Sequence, residues 1–407
     1  MNQRARHTTN RRRFLRTAVA VGTLSVAGCV DSSDDEPSSG GSDDDGDDRE
    51  ETTEFDVETV AEGFANPWAI ELLPEGGMLV TEREGRLSVV DPESGSVESI
   101  EGGPDVYAAG QGGLLDAVLH PDYPDEPWVY LSYSDDNDAG ESTTRLGRGR
   151  LEPEEGLLDE FEQLHVAEPF VDSDGHYGSR MVVENDALYM TVGDRQSGEF
   201  GPDHVSQDTT NELGTTLRLA LDGSVPEDNP FIGEGGFVET IYSYGHRNAQ
   251  GMTVRPETGD IWQSEHGEED GDEINVIEAG GNYGWPVATY GCAYGTDDPV
   301  GEDPDEREDT IAPVYHWECG SGGFPPAGMT FYDGEAFPDW EGDLFVGNLA
   351  GEYLGRFSVD GREVEELDPL LADEGWRVRD VAVAPGTGHL YVAVDGGDAP
   401  IVRLQPA

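Results

Sequence analysis

Residues able to bind an anion lie close to residues able to bind a hard cation between Ile241 and Pro286. The segment His246-Arg247-Asn248 places a guanidinium beside an amide, and such groups hold carboxylates and oxyanions. The loop from Glu265 to Glu273 is acidic and contains glycine, and the turn Gly280–Asn282 follows it. Carboxylate and carbonyl oxygens are the ligands that hard cations prefer. The combination indicates a functional site built from loops.

The apolar runs between these loops are too short for helices, so they are interpreted as strands. The polar segments between them are interpreted as the loops of one antiparallel sheet. The predicted strands are Ile241–Tyr244, Gly251–Val254, Asp260–Ser264 and Glu273–Ile277.

A turn followed by a strand of aromatic or β-branched residues recurs six times along the chain. The copies are GGMLVTE from Gly76, EPWVYLSY from Glu126, DALYMTVGD from Asp186, GDIWQSE from Gly259, GDLFVGN from Gly342 and GHLYVAVD from Gly388. Copies at intervals of roughly 45 to 85 residues are typical of a propeller with one copy per blade. We therefore predict an all-β fold, a six-bladed β-propeller of four-stranded antiparallel blades. Six repeats argue against the alternative, a β-sandwich.

The last predicted blade has only three strands of its own, at Val378–Ala384, Leu390–Val394 and Ile401–Leu404. We expect its fourth strand to come from the N-terminal segment Asp56–Glu62. That pairing would close the ring and cover an exposed strand edge.

The chain of 407 residues is strongly acidic, with 87 acidic residues, 23 basic residues and a net charge of −64. All the basic residues are arginines, because the sequence contains no lysine. Such a charge repels a phosphate backbone, which excludes nucleic acid as a partner. Aromatic residues in short periodic runs indicate a folded protein rather than a disordered acidic one. The composition is typical of a halophilic protein whose carboxylates are screened by concentrated salt.

The N-terminal segment has the features of an export signal. Arg11-Arg12 and Phe14-Leu15 precede an apolar stretch of about a dozen residues, which is too short to span a bilayer. This pattern resembles a Tat signal, and Ser25–Cys29 resembles a lipobox in which Cys29 is lipidated. We expect a signal peptide over residues 1–28, an acidic disordered tether over 29–54 and the propeller domain over 55–407. The protein is then expected to be exported and lipid-anchored to the outer face of the cytoplasmic membrane.

Several motifs together resemble the PQQ-dependent aldose sugar dehydrogenases, the soluble glucose/sorbosone dehydrogenase type. They cover nearly all of residues 58–405 in order, and the family fold is a six-bladed propeller. The motifs are YGHRNAQG, EHGEEDGDEINVI, GGNYGWP, GFANPWAI, GQGGLLDAVLHPDY, DGHYGSR, TVGDR, the Pro-Ala-Gly-Met-Thr-Phe-Tyr run and WRVRDV.

The resemblance implies roles for individual residues. His176, in DGHYGSR, matches the general base that takes the proton of a sugar C1 hydroxyl, and Asp194 matches the carboxylate that orients it. Arg247 and Asn248 match the pair placed at the quinone carbonyl of the cofactor, pyrroloquinoline quinone (PQQ), where they stabilise developing charge. Gln111 matches a side chain that lines the same pocket.

Further residues are expected to hold the cofactor and calcium. Arg377 and Arg379 alternate along a strand, so both point to one face and can hold carboxylates bidentately. The resemblance implies one calcium at the carbonyls of Gly267 and Glu268 and a second at Glu273 and the Tyr283 carbonyl.

Two departures from the family's pattern concern the predicted site. Glu268 stands where relatives commonly have proline, so a carboxylate is added there. Ala350 stands where many relatives have a lysine that contacts the cofactor. Either Asn348 or Arg356 compensates for its loss, or the affinity for the cofactor is lower.

Three further expectations concern partners and alternatives. Cys292 and Cys319 form either a disulfide in an oxidising compartment or two buried thiols. No Cys-x-x-Cys-His haem motif is present, so electrons must leave to a separate acceptor.

Besides an aldose dehydrogenase, two other functions remain open, because the fold hosts all three. They are a calcium-dependent hydrolase such as a lactonase and a non-catalytic binding propeller.

We predict that the folded state depends on salt, because dilute buffer leaves the acidic residues unscreened. The melting temperature, followed by circular dichroism, should rise between low and multimolar KCl. A melting temperature that does not change with KCl would contradict the halophilic interpretation.

Overall fold

The computed structural model describes residues 53–198 and 200–407. The predicted signal peptide, the lipidation site Cys29 and nearly all of the predicted tether lie outside these residues. The first described strand is β1 (Phe55–Phe64).

The strands after β1 follow one another around the ring, and each blade takes consecutive strands. Blade 1 contains β2 (Pro67–Leu72), β3 (Met78–Glu82), β4 (Arg86–Asp91) and β5 (Ser96–Ile100). Blade 2 contains β6 (Leu114–Leu119), β7 (Trp128–Asp136), β8 (Ser142–Glu152) and β9 (Leu157–Val166). Blade 3 contains β10 (Met181–Glu184), β11 (Ala187–Val192), β12 (Thr215–Ala220) and β13 (Ile241–Tyr244).

The remaining strands form the second half of the ring. Blade 4 contains β14 (Ala249–Val254), β15 (Ile261–Glu265), β16 (Glu273–Val276) and β17 (Tyr315–His316). Blade 5 contains β18 (Pro326–Phe331), β19 (Leu344–Asn348), β20 (Tyr353–Asp360) and β21 (Glu363–Glu366). Blade 6 contains β22 (Val378–Val383), β23 (Leu390–Val394) and β24 (Ala399–Pro406), together with β1.

The helices of the described residues are single 3-10 turns, and none has the length or apolar character needed to cross a membrane. They are Pro153–Glu155, Val205–Gln207, Pro304–Glu306 and Pro338–Trp340.

The predicted fold is confirmed: the described residues form six four-stranded sheets, and neighbouring strands within each sheet are antiparallel. The ring closes as expected, because β1 pairs with β24 from Phe55 opposite Pro406 to Phe64 opposite Ala399. The first and last strands of the domain therefore lie side by side, and β1 covers the outer edge of β24.

The prediction that the strands between Ile241 and Ile277 belong to one sheet is wrong. β13 is the outer strand of blade 3 and pairs with β12, whereas β14, β15 and β16 belong to blade 4. Local alternation of residues predicts a strand but does not identify its partner, and β12 lies well before β13 in the chain. The segment His246-Arg247-Asn248 is consequently the crossover from the outer edge of one blade to the inner strand of the next.

Apolar side chains fill the space between neighbouring blades. Between blades 5 and 6, for example, Trp340 and Phe345 are in one buried cluster with Leu390, Val392 and Leu404. Burying a side chain of this size stabilises a fold by about 1.5–3 kcal/mol. A blade on its own would expose these surfaces, so the ring is the smallest stable unit.

The first strand of each blade contacts the first strands of both neighbours, and together they form an inner ring. Arg180, just before β10, lies in this ring with its guanidinium over Trp68 of blade 1. Its NH1 lies 3.2 Å from both Asp116 of blade 2 and Asp380 of blade 6, and its Nε donates to the Gln250 carbonyl of blade 4. Burial lowers the pKa of Arg180, but the two carboxylates outweigh this effect, so the guanidinium stays charged.

Asp380 makes a second contact with blade 1 and brings blade 5 to the same point. Its Oδ2 accepts a hydrogen bond from the Ile70 amide of blade 1 over 2.8 Å. On its other side the backbone of Gly328 in blade 5 approaches so closely that a Cβ there would lie 1.7 Å from Oδ1. All six blades thus meet at Arg180 and Asp380, a group that we call the axial cluster (Asp116, Arg180, Asp380).

We predict that Gly328→Ala destabilises the fold, because its methyl group would also lie 2.9 Å from the Asp380 Cα, which is backbone. Overpacking of a well-packed core costs about 1–3 kcal/mol and occasionally more. Urea unfolding at constant multimolar KCl measures the loss. Gly103→Ala is the matched control, since an added Cβ there meets nothing within 4 Å. Equal free energies of unfolding for the two variants would show that the axial cluster tolerates the change.

Candidate active site

The residues predicted to do chemistry lie on loops at one mouth of the inner ring or near the ends of strands that adjoin these loops. His176 precedes β10, Arg247 and Asn248 precede β14, and Arg377 precedes β22. Backbone hydrogen bonds join these loops: the Asp194 amide donates to the Arg247 carbonyl over 2.8 Å, and the His266 amide donates to the Asn248 carbonyl over 3.2 Å.

His176 and Asp194 form a buried pair. Nδ1 of His176 lies 2.7 Å from Oδ1 of Asp194, and Nε1 of Trp285 donates to Oδ2 over 2.9 Å. Burial raises the pKa of Asp194. The hydrogen bond with His176 and the charge of Arg247 lower it by more, so the pKa lies below its ordinary value. The aspartate anion therefore holds the proton of His176 on Nδ1 and leaves Nε2 as the basic nitrogen.

The loop that carries His176 is held from several sides. Arg195 donates to the carbonyls of Gly175 and Ser173 over 2.9 and 2.6 Å. Gln111 accepts a hydrogen bond from the His176 amide over 2.8 Å. His176 has a φ of 49°, in the left-handed region that non-glycine residues rarely adopt, and such a conformation persists only where its surroundings enforce it.

Arg247 and Asn248 stand beside this pair. The Asn248 Oδ1 accepts a hydrogen bond from the Gly178 amide over 3.2 Å, which ties the crossover to the histidine loop. The Arg247 guanidinium lies 5.2 Å from the ring centre of Trp285, the side chain that also contacts Asp194. The histidine pair and the Arg247-Asn248 pair therefore face one shared space.

Four of the six predicted cofactor-binding residues have a buried N–H donor without a partner among the described residues. These donors are Nε of Arg247, Nδ2 of Asn248, Nδ2 of Asn348 and Nε of Arg379. A buried donor without an acceptor costs about 1–3 kcal/mol. Unpaired donors occur elsewhere in the fold, but these four belong to one mouth, and a ligand rich in acceptor oxygens would satisfy them.

Arg377 and Arg379 do point to one face, and both reach Asp395. The NH2 groups of both arginines lie 3.2 Å from Oδ2 of Asp395. Arg379 is buried and also donates to Oε1 of Gln250, whereas the Arg377 side chain is 45% exposed and donates to the Leu349 carbonyl. Only Arg379 therefore offers a buried unpaired donor to a ligand.

The acidic loop after β15 is fixed by its own aspartates. Asp272 accepts hydrogen bonds from the amides of Gly267 and Phe324 over 3.0 and 2.6 Å. Burial raises the pKa of Asp272 to about 6, although both hydrogen bonds lower it. Glu268, on the same loop, points back to Arg247, with Oε2 2.6 Å from NH2.

Cys292 and Cys319 are joined by a disulfide, with Cα atoms 5.3 Å apart. Asp270 of the acidic loop accepts a hydrogen bond from the Cys292 amide and another from the Gly320 amide. The disulfide thus links the two segments on which the acidic loop rests.

Glu273 and Glu265 lie next to each other below this loop. Asn275 donates to both carboxylates, over 3.3 Å to Glu273 and 3.0 Å to Glu265. Burial and the charge of Glu265 raise the pKa of Glu273 well above its ordinary value. Tyr283 lines a cavity of about 10 Å³ together with both carboxylates, and that space suits one water or small ion.

His266 lies at this site and was not among the residues predicted from the sequence. Its Nε2 lies 2.7 Å from the Pro326 carbonyl, so Nε2 carries the proton. Burial lowers its pKa to about 3, and the charges of Arg247 and His176 lower it as well. His266 is thus a neutral imidazole near the His176–Asp194 pair and Arg247.

Trp285 and Asp395 were also missed. Trp285 and His266 belong to the motifs GGNYGWP and EHGEEDGDE, so their motifs were a signal for them. Asp395 follows the strand β23 and has no local feature that marks it, because its role depends on two arginines from another segment.

Comparisons with known proteins agree with this arrangement. The family model described as Glucose / Sorbosone dehydrogenase matches residues 64–403. The chain is 36% identical over 357 residues to the aldose sugar dehydrogenase YliI of Escherichia coli strain K12, which covers 86% of this chain and 93% of that protein.

Solved structures are similar over the same range. The soluble aldose sugar dehydrogenase from Escherichia coli in its apo form has a TM-score of 0.81 and 36% identity, covering 87% of this chain and 100% of that one. The PQQ-bound form of the aldose sugar dehydrogenase from Streptomyces coelicolor has a TM-score of 0.69 and 28% identity, covering 87% of this chain and 98% of that one.

We predict that His266→Gln makes stability less sensitive to acid. In the unfolded chain a histidine takes a proton below about pH 6.5, whereas folded His266 stays neutral until about pH 3. Protonation of the unfolded chain therefore destabilises the native protein by about 2 kcal/mol between pH 7 and pH 5. The variant should lose less free energy of unfolding over this interval, as measured by urea unfolding. Comparing both proteins at pH 8, where neither state is protonated, isolates any structural effect of the substitution. Identical pH dependence of the two proteins would show that His266 has the same pKa in the folded and the unfolded chain.

Proposed function

Since the chain belongs to the glucose/sorbosone dehydrogenase family, we propose that it oxidises the C1 hydroxyl of an aldose to a lactone with PQQ as its cofactor. The observation that carries this proposal is the position of the His176–Asp194 pair at the same mouth as four unpaired buried donors. The pair supplies a base, and the donors supply a place for an anionic, oxygen-rich cofactor.

His176 acts as the general base. Asp194 keeps Nδ1 protonated, so Nε2 can accept the proton of the C1 hydroxyl. As the imidazole becomes a cation, the Asp194 anion 2.7 Å away stabilises it. The hydrogen bond from Trp285 keeps the second oxygen of Asp194 from turning toward another donor.

The donor set fits PQQ, which accepts the hydride from C1 when it is bound. Arg247 and Asn248 offer N–H groups where negative charge develops, and Arg379 and Asn348 offer donors to carboxylates. Asn348 ends β19 and is fully buried, two residues before Ala350. Its unpaired Nδ2 makes it the residue best placed to replace the missing lysine.

We further propose that calcium binds at two places, as the resemblance implies. The carbonyls of Gly267 and Glu268 lie on the loop that Asp272 fixes. At the second place, Glu273 and Glu265 are two buried carboxylates that share one neutral amide donor, and a cation in the neighbouring cavity would offset their repulsion.

Reconstitution tests the function. Protein dialysed against a chelator should reduce an electron-accepting dye with glucose only after both PQQ and calcium are added. His176→Gln should lower turnover by at least roughly 100-fold, because a general base contributes about that much, while PQQ binding measured by equilibrium dialysis is retained.

The other outcomes separate the alternatives. Full activity without either addition would exclude a quinoprotein, and a His176→Gln variant within a few-fold of wild type would remove His176 from the mechanism. Lactone hydrolysis without PQQ would indicate a hydrolase, and the absence of both reactions would indicate a binding propeller.

We also propose that the protein works outside the cytoplasm, anchored by a lipid on Cys29, and passes electrons to a separate acceptor. The disulfide between Cys292 and Cys319 supports an oxidising compartment. Mass spectrometry of the membrane fraction should find a lipid-modified Cys29 peptide, and Cys29→Ser should release the protein from the membrane. Retention of Cys29→Ser at the membrane would contradict the anchor.

A further inference from the structure

Glu268 and Arg247 form an ion pair inside the candidate active site. NH2 of Arg247 lies 2.6 Å from Oε2 of Glu268, and the side chains are only 8% and 16% exposed. A pair shielded from water in this way interacts more strongly than a pair on the surface.

The remaining hydrogen bonds of the Arg247 guanidinium are weak or missing. NH1 lies 3.5 Å from the His266 carbonyl, and the buried Nε has no partner. Among residues 53–198 and 200–407, Glu268 is the one acidic side chain in an ion pair with Arg247. The carboxylate of Glu268 is therefore already paired with the guanidinium that the proposed function needs to bind an anionic cofactor.

The backbone on either side of Glu268 is fixed. The Gly267 amide donates to Asp272, and the Glu269 amide donates to the Cys292 carbonyl over 3.2 Å, beside the disulfide. The loop therefore cannot carry Glu268 away from Arg247 without breaking these bonds. The Glu268 side chain, in contrast, can change partner by rotation about its own bonds.

We propose that Glu268 couples the binding of a cation to the binding of the anionic cofactor, an inference that rests on the proposed function. Without a cation, the carboxylate of Glu268 competes with the oxygens of PQQ for Arg247 and repels their negative charge. A calcium ion at the carbonyls of the same loop attracts this carboxylate and frees Arg247. Each ligand then strengthens the binding of the other by the same factor.

This coupling is a property of a side chain rather than of the loop. The Glu268 side chain places a negative charge beside Arg247, where the proposed function requires an anion to bind. The carbonyl of residue 268 remains in any variant, so the loop's own oxygen ligands are kept while the competing carboxylate is removed.

Equilibrium dialysis of PQQ against wild type and Glu268→Gln, each with calcium and with chelator, tests the proposal without measuring activity. KCl is kept at the lowest concentration that preserves the fold, because salt screens charge interactions. In wild type, calcium should tighten PQQ binding by about tenfold or more. In Glu268→Gln, binding in chelator should be about tenfold tighter than in wild type, and the effect of calcium should be correspondingly smaller.

Glu269→Gln is the matched control, since this neighbouring carboxylate is exposed and accepts a hydrogen bond from the Gly295 amide instead of pairing with Arg247. It should behave as wild type. Glu268→Ala repeats the test with a side chain that cannot hydrogen-bond, and thermal melts verify that each variant is folded.

Equal calcium effects in wild type and Glu268→Gln would overturn the coupling, and so would weaker PQQ binding by Glu268→Gln in chelator. If wild type bound no PQQ under any condition, the proposed function itself would fall and this inference with it.

Discussion

The buried ion pairs of Arg180 with Asp116 and Asp380 hold the inner ring together. A charge placed in the protein interior is tolerated only when it is paired and hydrogen-bonded, and removing one partner of such a group costs about 3–5 kcal/mol. Burial raises the pKa of Asp116 to about 6 even with Arg180 beside it, which shows how strongly the interior disfavours this charge. The axial cluster is therefore stable only when strands from separate blades arrive together, and it connects the closure of the ring to its centre.

The candidate active site is attached to this cluster by a short series of hydrogen bonds. The carbonyl of Gln250 accepts from Arg180, and its side chain accepts from Arg379. Gln250 lies two residues after Asn248, so the crossover that carries Arg247 and Asn248 is anchored at its far end. The unpaired buried donors and the left-handed backbone conformation of His176 are unfavourable by themselves. A scaffold fixed at its centre and held at its mouth by the disulfide-linked loop can maintain them.

The distribution of charge follows from the same constraint. The chain is acidic and contains no lysine, so each permanently charged basic side chain in the interior is an arginine. Its planar set of donors lets one arginine join several partners, as Arg195 does in holding the histidine loop and Arg379 does between Gln250 and Asp395. A carboxylate at position 268 is consistent with this acidic composition, yet it lies where an anion has to bind. The acidity of the chain thus reaches the candidate active site as well as the surface.

The sequence by itself determined the fold class, the number of blades and the strand that closes the ring, because alternation and turn residues act over a few positions. It also identified His176, Asp194 and the Arg247-Asn248 pair, because each lies in a motif of neighbouring residues. It wrongly placed β13 in the sheet of β14, since a strand does not record its partner. Only the tertiary structure decided that Arg377 and Arg379 share Asp395, that Trp285 supports Asp194 and that Glu268 pairs with Arg247. These contacts join residues from different blades or loops, and no local pattern specifies which side chains the closed ring brings together.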